Sequence, residues 1–157
     1  MEKALTSRFA WSTVVIMAAA VADFRPTRTS HQKLKKGREK ELTVDLERTA
    51  DILSILSERR THQVLVGFAA ETEAVKAHAE DKLKRKGLDL IVGNNVASEG
   101  CGFGSDTNAA VLIDRNGQVA ECPLMSKREL ADRILDAVQA LGRSAVKRAS
   151  KERGGRQ

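Results

Sequence analysis

Val14-Val15-Ile16-Met17-Ala18-Ala19-Ala20-Val21-Ala22-Asp23 joins two kinds of sequence, and the junction decides the fold. Val14 to Ala18 is an apolar run rich in β-branched residues, the pattern of a strand buried on both faces. The residues after it are small up to Asp23, so backbone N–H groups there can approach a ligand closely. Two more runs share this character: Val64–Ala70, whose end is Gly67–Thr72, and Leu88–Val92, whose end is Gly93–Val96. Doubly buried strands belong to parallel sheets covered by helices. In open sheets of that kind the ligand lies beyond the carboxyl ends of the strands.

Working outward, residues 24–41 are polar and basic and read as a long loop or flap. Leu42–Leu46 alternates like a strand with one wet face. Asp51–Arg59 places Ile52, Ile55 and Leu56 at helical spacing, with Thr49 as a candidate N-cap. Thr72–Lys86 reads as a helix with Val75, Ala79 and Leu83 on one stripe, ended by Gly87. Asn95–Thr107 reads as a loop containing Gly and Ser. Ala109–Ile113 and Gln118–Cys122 flank Asn116-Gly117, a strong hairpin signal. Ser126-Lys127-Arg128-Glu129 is a capping box opening a helix whose Leu130, Ile134, Val138 and Leu141 face the core. The expected architecture is α/β: a Rossmann-like three-layer sandwich with a mostly parallel sheet plus an antiparallel hairpin. It is expected to lack the first βα units, because the twelve residues before Thr13 are too few for a βαβ unit of roughly 30 residues.

Composition fits this class. The chain has 157 residues, 3% aromatics and no tyrosine, so its core is made of Ala, Val, Leu and Ile. The expected domain is 13–142, followed by a basic, disordered tail at 143–157. That tail holds six Lys or Arg and accounts for much of the net charge of +6. It could suggest nucleic acid, but no aromatics are interleaved to stack bases. No apolar run approaches the roughly 20 residues that span a bilayer, and no signal-peptide cleavage region follows Val14–Val21. Cys101 and Cys122 form neither a disulfide framework nor a metal motif and read as packing residues. These features lead to an expected cytoplasmic location without membrane contact.

Candidate chemistry gathers at the strand ends. Asp23, Glu71, Asn94 and Asn95 supply donors and acceptors there. Lys33, Lys35 and Lys36 follow Asp23 by about ten positions in a polar segment that could close over a polyphosphate. Lys82 and Lys86 are one helical turn apart on one face, suited to adjacent phosphates. His31, His62 and His78 are scattered, with no nucleophile arrangement or zinc spacing around them.

Taken together, Ala18-Ala19-Ala20-Val21-Ala22-Asp23-Phe24-Arg25-Pro26, Lys33-Leu34-Lys35-Lys36, Gly67-Phe68-Ala69-Ala70-Glu71-Thr72 and Leu88-Asp89-Leu90-Ile91-Val92 before Asn94 resemble phosphopantothenoylcysteine synthetase. This is the phosphopantothenate–cysteine ligase half of the bifunctional bacterial flavoprotein of coenzyme A synthesis. The resemblance runs from about Val14 to about Leu141. It implies a CTP-dependent ligase: the carboxylate of 4′-phosphopantothenate attacks the α-phosphate of CTP, and the amine of cysteine then displaces CMP from the acyl-cytidylate. Mg²⁺ would accompany the triphosphate. By motif, Met17, Ala18 and Ala19 would offer backbone contacts, and Asp23 would bind the nucleotide. Lys33 would be the catalytic charge on the triphosphate. Phe68 would pack against cytosine, and Lys82 and Lys86 would contact the nucleotide. The family is dimeric, which implies a homodimer paired through the segment between Asp23 and Leu46. The chain departs from the family pattern at Thr49-Ala50-Asp51, where Asn-Pro-Asp is usual, and at Asn95, where Asp is usual. The family's phosphate-binding turn precedes the first strand read here, so weak or absent turnover is expected. The competing reading is a non-catalytic remnant that folds or binds nucleotide without turnover.

Overall fold

The structure, a computed structural model, describes residues 1–30, 32–33, 42–98, 100–101 and 104–154, with side chains described up to residue 142. The elements run α1 (Glu2–Phe9), β1 (Val14–Met17), β2 (Phe24–Pro26), β3 (Leu46–Arg48), α2 (Ile52–Glu58), β4 (Val64–Glu71), α3 (Val75–Arg85), β5 (Leu90–Asn95), β6 (Thr107–Asp114), β7 (Val119–Ser126) and α4 (Lys127–Gly154). Five strands form one sheet in the order β1-β4-β5-β6-β7. β1, β4 and β5 are mutually parallel, and β6 and β7 are added antiparallel.

The sheet separates two apolar layers, because side chains alternate across a strand. Leu65 and Ala69 of β4 and Ile91 of β5 join Leu53 and Leu56 of α2, Ala79 and Leu83 of α3, and Phe9 of α1 in one cluster. Val66 of β4 and Leu90 and Val92 of β5 join Leu130, Ile134, Val138 and Leu141 of α4 in the other. The expected three-layer α/β sandwich with an antiparallel hairpin is therefore what forms. Gly93 sets how closely α3 can approach: a Cβ there would lie 3.1 Å from both the Ala79 and Val75 side chains. α3 ends as its sequence requires. Gly87 takes φ +58, its N–H bonds to the Lys84 carbonyl, and the Leu88 N–H reaches back to Leu83 at 2.9 Å. This closes the last turn of the helix as a Schellman motif.

Several local readings are corrected. The first twelve residues do hold an element, α1, which the polar sequence EKALTSRF hides because only Leu5 and Phe9 turn inward. Phe24–Pro26, at the start of the flap, pairs with Leu46–Arg48 in a short antiparallel ribbon, with Phe24 opposite Arg48 and Pro26 opposite Leu46, so the strand expected at Leu42–Leu46 lies at 46–48 instead. All six ribbon residues are exposed, so hydrophobic periodicity could not show its bounds. α2 is capped by Asp51, whose carboxylate accepts from Ser54 N; Thr49 instead donates its hydroxyl to the Ala22 carbonyl. α3 begins at Val75 because Ala74 sits in the left-handed region at φ 46. The hairpin closes with the Asp114 N–H on the Gln118 carbonyl and Gly117 at φ +80. Asn116 keeps a negative φ, so the turn has three residues rather than the two-residue type I′ form. The capping box forms: Ser126 Oγ accepts from Glu129 N, and the Glu129 carboxylate accepts from Ser126 N at 2.9 Å. From Arg143 the backbone continues as helix to Gly154; Ala, Lys and Arg there are good helix formers. Lys35 and Lys36 lie outside the described residues.

Asp89 was not singled out by the sequence as a structural residue, yet it anchors the amino ends of β4 and β5. Its carboxylate is 1% exposed and accepts from Arg60 Nη1 (2.8 Å), Arg115 Nη1 (2.6 Å) and Leu65 N (2.8 Å). Cys122 packs in the α4-side cluster, where burial pushes its thiol up from the usual range. Trp11, in the α1–β1 connection, is 74% exposed.

Candidate functional site

A cleft of about 1140 Å³ opens at the carboxyl ends of β1, β4 and β5, the location that the strand-end reading expects. Met17, Ala18, Ala19, Asp23, Phe68 and, from α3, Lys82 and Lys86 all line it. The structure thus brings seven of the eight sequence-selected residues to one cavity. Lys33 is exposed and does not line it.

Local structure explains how these groups are held. Beyond Met17 the chain leaves the sheet, and it is tied back where Thr49 N donates to the Asp23 carbonyl at 2.9 Å. This tie closes the base of the β2–β3 ribbon and sets Asp23 near the start of α2. The spacing of four along α3 stacks Lys82 and Lys86 on one face. Lys82 Nζ donates to the Phe68 carbonyl at 2.7 Å, and Lys86 Nζ donates to the Asp51 carboxylate at 3.2 Å.

The electrostatics follow from burial and proximity. Burial, and then the neighbouring Lys86 charge, hold the Lys82 ammonium below the usual lysine range, with Glu71 and Asp23 opposing. A poorly hydrated ammonium beside a second cation gains more from an arriving anion than a solvated one does. For Asp51, burial alone would raise the pKa. The hydrogen bonds from Ser54 and the Lys86 ammonium outweigh it, so the carboxyl stays below its ordinary value.

Among the lining groups not assigned a role from sequence are Asp51, His78 and Asn108. Asp51 caps α2 while holding Lys86. His78 lies one turn before Lys82 and pairs through Nδ1 with the Glu71 carboxylate at 3.3 Å. Its spacing of four from Lys82 was the available signal. Asn108, at the start of β6, also lines the cavity.

Among the described residues, no three His, Cys, Asp or Glu side chains gather to hold a metal ion. No described helix is long and apolar enough to cross a membrane.

Residues 1–141 match the DNA/pantothenate metabolism flavoprotein C-terminal domain. The chain belongs to that family. Among curated relatives of this flavoprotein domain, it is 42% identical over 149 residues to the coenzyme A biosynthesis bifunctional protein CoaBC of Bacillus subtilis (strain 168), covering 95% of this chain and 36% of that protein. It is 39% identical over 142 residues, 90% of this chain and 39% of the relative, to a cysteine/cysteine sulfinic acid decarboxylase of an unknown prokaryotic organism. The chain thus spans a little over a third of the length of these relatives. A crystal structure of the C-terminal domain of CoaBC superposes with a TM-score of 0.71 at 34% identity, covering 89% of this chain and 60% of that one. A Cab2 variant in complex with phosphopantothenate-cysteine has the same fold, with a TM-score of 0.67 at 18% identity over 93% of this chain and 50% of that one.

Proposed function

We propose that this flavoprotein C-terminal domain takes part in phosphopantothenate–cysteine ligation in coenzyme A biosynthesis, with CTP as the activating nucleotide. The observation that carries this reading is the pairing of the Met17–Asp23 strand end with Lys82 and Lys86 across one cleft. A chain 42% identical to a CoaBC protein supports the substrate class. In this reading the carboxylate of 4′-phosphopantothenate attacks the α-phosphate of CTP, giving acyl-cytidylate and pyrophosphate. The amine of cysteine then attacks the acyl carbon, and CMP leaves.

The residues have distinct tasks. Lys82 and Lys86 exchange the Phe68 carbonyl and the Asp51 carboxylate for phosphate oxygens. Met17, Ala18 and Ala19 offer backbone contacts at the acyl end, Asp23 binds the nucleotide, and Phe68 packs beside cytosine. Mg²⁺ arrives with the triphosphate. It would offset the charge of the phosphates, and Asp23 and Glu71, among the carboxylates lining the cleft, would be placed to hold it. Lys33 lies outside the cleft lining, so its role in neutralising the triphosphate requires its segment to close over bound nucleotide. The same reading pairs two chains through the β2–β3 ribbon, where Phe24, Val44 and Leu46 are exposed.

The test mixes the chain with CTP, Mg²⁺ and 4′-phosphopantothenate and follows pyrophosphate release, with and without cysteine. Release that collapses by about 10²–10³ in Lys33→Ala supports the assignment, the scale expected for loss of one transition-state contact. Release unchanged in that variant removes Lys33 from catalysis. CTP binding without any release favours the non-catalytic remnant.

A further inference from the structure

The cleft has two walls of different chemistry. The α2–α3 side is cationic through Lys82 and Lys86. The α4 side is largely apolar, built from Phe68, Leu130, Ala131 and Ile134 with Lys127 at the start of the helix, and carries two carboxamides, Asn94 and Asn108. Asn94 shares the α4-facing side of β5 with Leu90 and Val92 and is 9% exposed. Asn108 Oδ1 is fully buried and has no hydrogen-bond partner among the described residues.

A buried acceptor left unmet loses its hydration and gains nothing in return. Turning the amide over places Nδ2 in the same unmet position, so the requirement belongs to the site rather than to one atom. Asn108 also lines the cleft, so a ligand group that draws the amide toward the cleft can complete it there. A neutral carboxamide adds no positive charge, so the phosphates are left to the lysines that line the cleft. A planar group with an N–H beside an acceptor suits it well, since a carboxamide can donate and accept along one edge.

We propose that Asn108 is a specificity-determining residue of this cleft, its carboxamide hydrogen-bonding a planar N–H-bearing group of the substrate. The assignment rests on the ligase reading above. Cytosine sets its exocyclic amine beside a ring nitrogen and can meet the carboxamide along one edge, whereas the trans amide of 4′-phosphopantothenate points its N–H and carbonyl apart and can meet it through a single bond. The apolar wall packs against the flat or aliphatic body attached to it, while the lysine wall takes the phosphates.

The test uses Asn108→Leu, close in size and without polar atoms, and Asn108→Ser, which is smaller and cannot clash. Calorimetric titration of the full chain with CTP, and separately with 4′-phosphopantothenate, is combined with the thermal midpoint of each unliganded protein. The expected result is a loss of about tenfold in affinity for one ligand, the scale of a single hydrogen bond, with the other unchanged. A loss for CTP places the nucleobase against Asn108, and a loss for 4′-phosphopantothenate places the amide there. The unliganded midpoint of Asn108→Leu stays level or rises, because an unmet acceptor has been replaced by apolar surface. Unchanged affinity for both ligands overturns the assignment, as does joint loss of both in both variants. A midpoint several degrees lower in both variants also overturns it, since Asn108 would then be holding the fold. Wild-type protein that binds neither ligand removes the ligase reading and this assignment together. Wild-type binding matched by the variants removes the assignment alone.

Discussion

Replacing Asp89 by Asn should separate the stability of the sheet from the chemistry of the cleft. The carboxylate is 1% exposed and accepts three hydrogen bonds at 2.6–2.8 Å, two from guanidinium groups and one from the Leu65 backbone. Asparagine keeps the volume but turns one oxygen into a donor, which then faces Arg60 and Leu65 N or faces Arg115. Removing one partner of a buried ion pair costs about 3–5 kcal/mol. Arg60 and Arg115 retain 30% and 38% side-chain exposure, so water recovers part of their loss and the expected cost is about 3 kcal/mol. For a chain of this size, that corresponds to a fall of roughly 6–12 °C in the midpoint. Far-ultraviolet circular dichroism against temperature measures it. CTP titration below the midpoint should be unchanged, because Asn94 in the cleft lies five residues along the strand, about 16 Å away. A midpoint shift under about 2 °C, less than the change expected for a single kcal/mol, would refute the argument that this carboxylate anchors the amino ends of β4 and β5.

Two further outcomes follow from the backbone and from titration. Ala74 holds φ 46, a conformation costing roughly 1–2 kcal/mol for an L-residue. Ala74→Gly should therefore raise the midpoint by a few degrees, and a fall would show that the turn is held by something other than backbone conformation. Lys82 is held below the usual lysine range by burial first and by Lys86 next, so the unfolded chain binds its proton more tightly than the folded one. Its destabilising effect is complete below the folded pKa and fades as pH rises from there to the ordinary value of 10.5. An anionic ligand restores the charged form, so CTP binding should take up protons in alkaline buffer and weaken at lower pH than an ordinary lysine would dictate. Calorimetry in buffers of different ionisation enthalpy reads that uptake, and Lys82→Met should abolish it.

The legible parts of this fold are those where burial is asymmetric or complete. β4 and β5 are continuous apolar runs because both faces are covered, and α4 shows its stripe because only one face is. The ribbon of β2 and β3 was misplaced because neither face is buried, which leaves no period to read. α1 was missed because two inward residues in eight make too thin a stripe. The start of α3 shifted to Val75 because an alanine in the left-handed region carries no sequence signature. At the site, strand ends and helical spacing led to residues that line one cavity, since topology decides where ligands can reach. What could not be read were relations across the chain: Asp51 holding Lys86 over 35 positions, and the unmet acceptor of Asn108, whose burial depends on packing that no local pattern encodes.

The exposed Trp11 gives the molecule an optical property of its own. With one tryptophan and no tyrosine in the sequence, nearly all long-wavelength emission comes from that indole, 74% exposed in the folded state. That exposure predicts the spectrum of an indole in water, so unfolding is expected to leave the emission colour almost unchanged. A blue shift on mixing instead signals a body settling over the α1–β1 connection, where Val14 and Ile16 on β1 are also partly bare. The chain thus carries a contact sensor that responds to that surface alone and stays silent to melting.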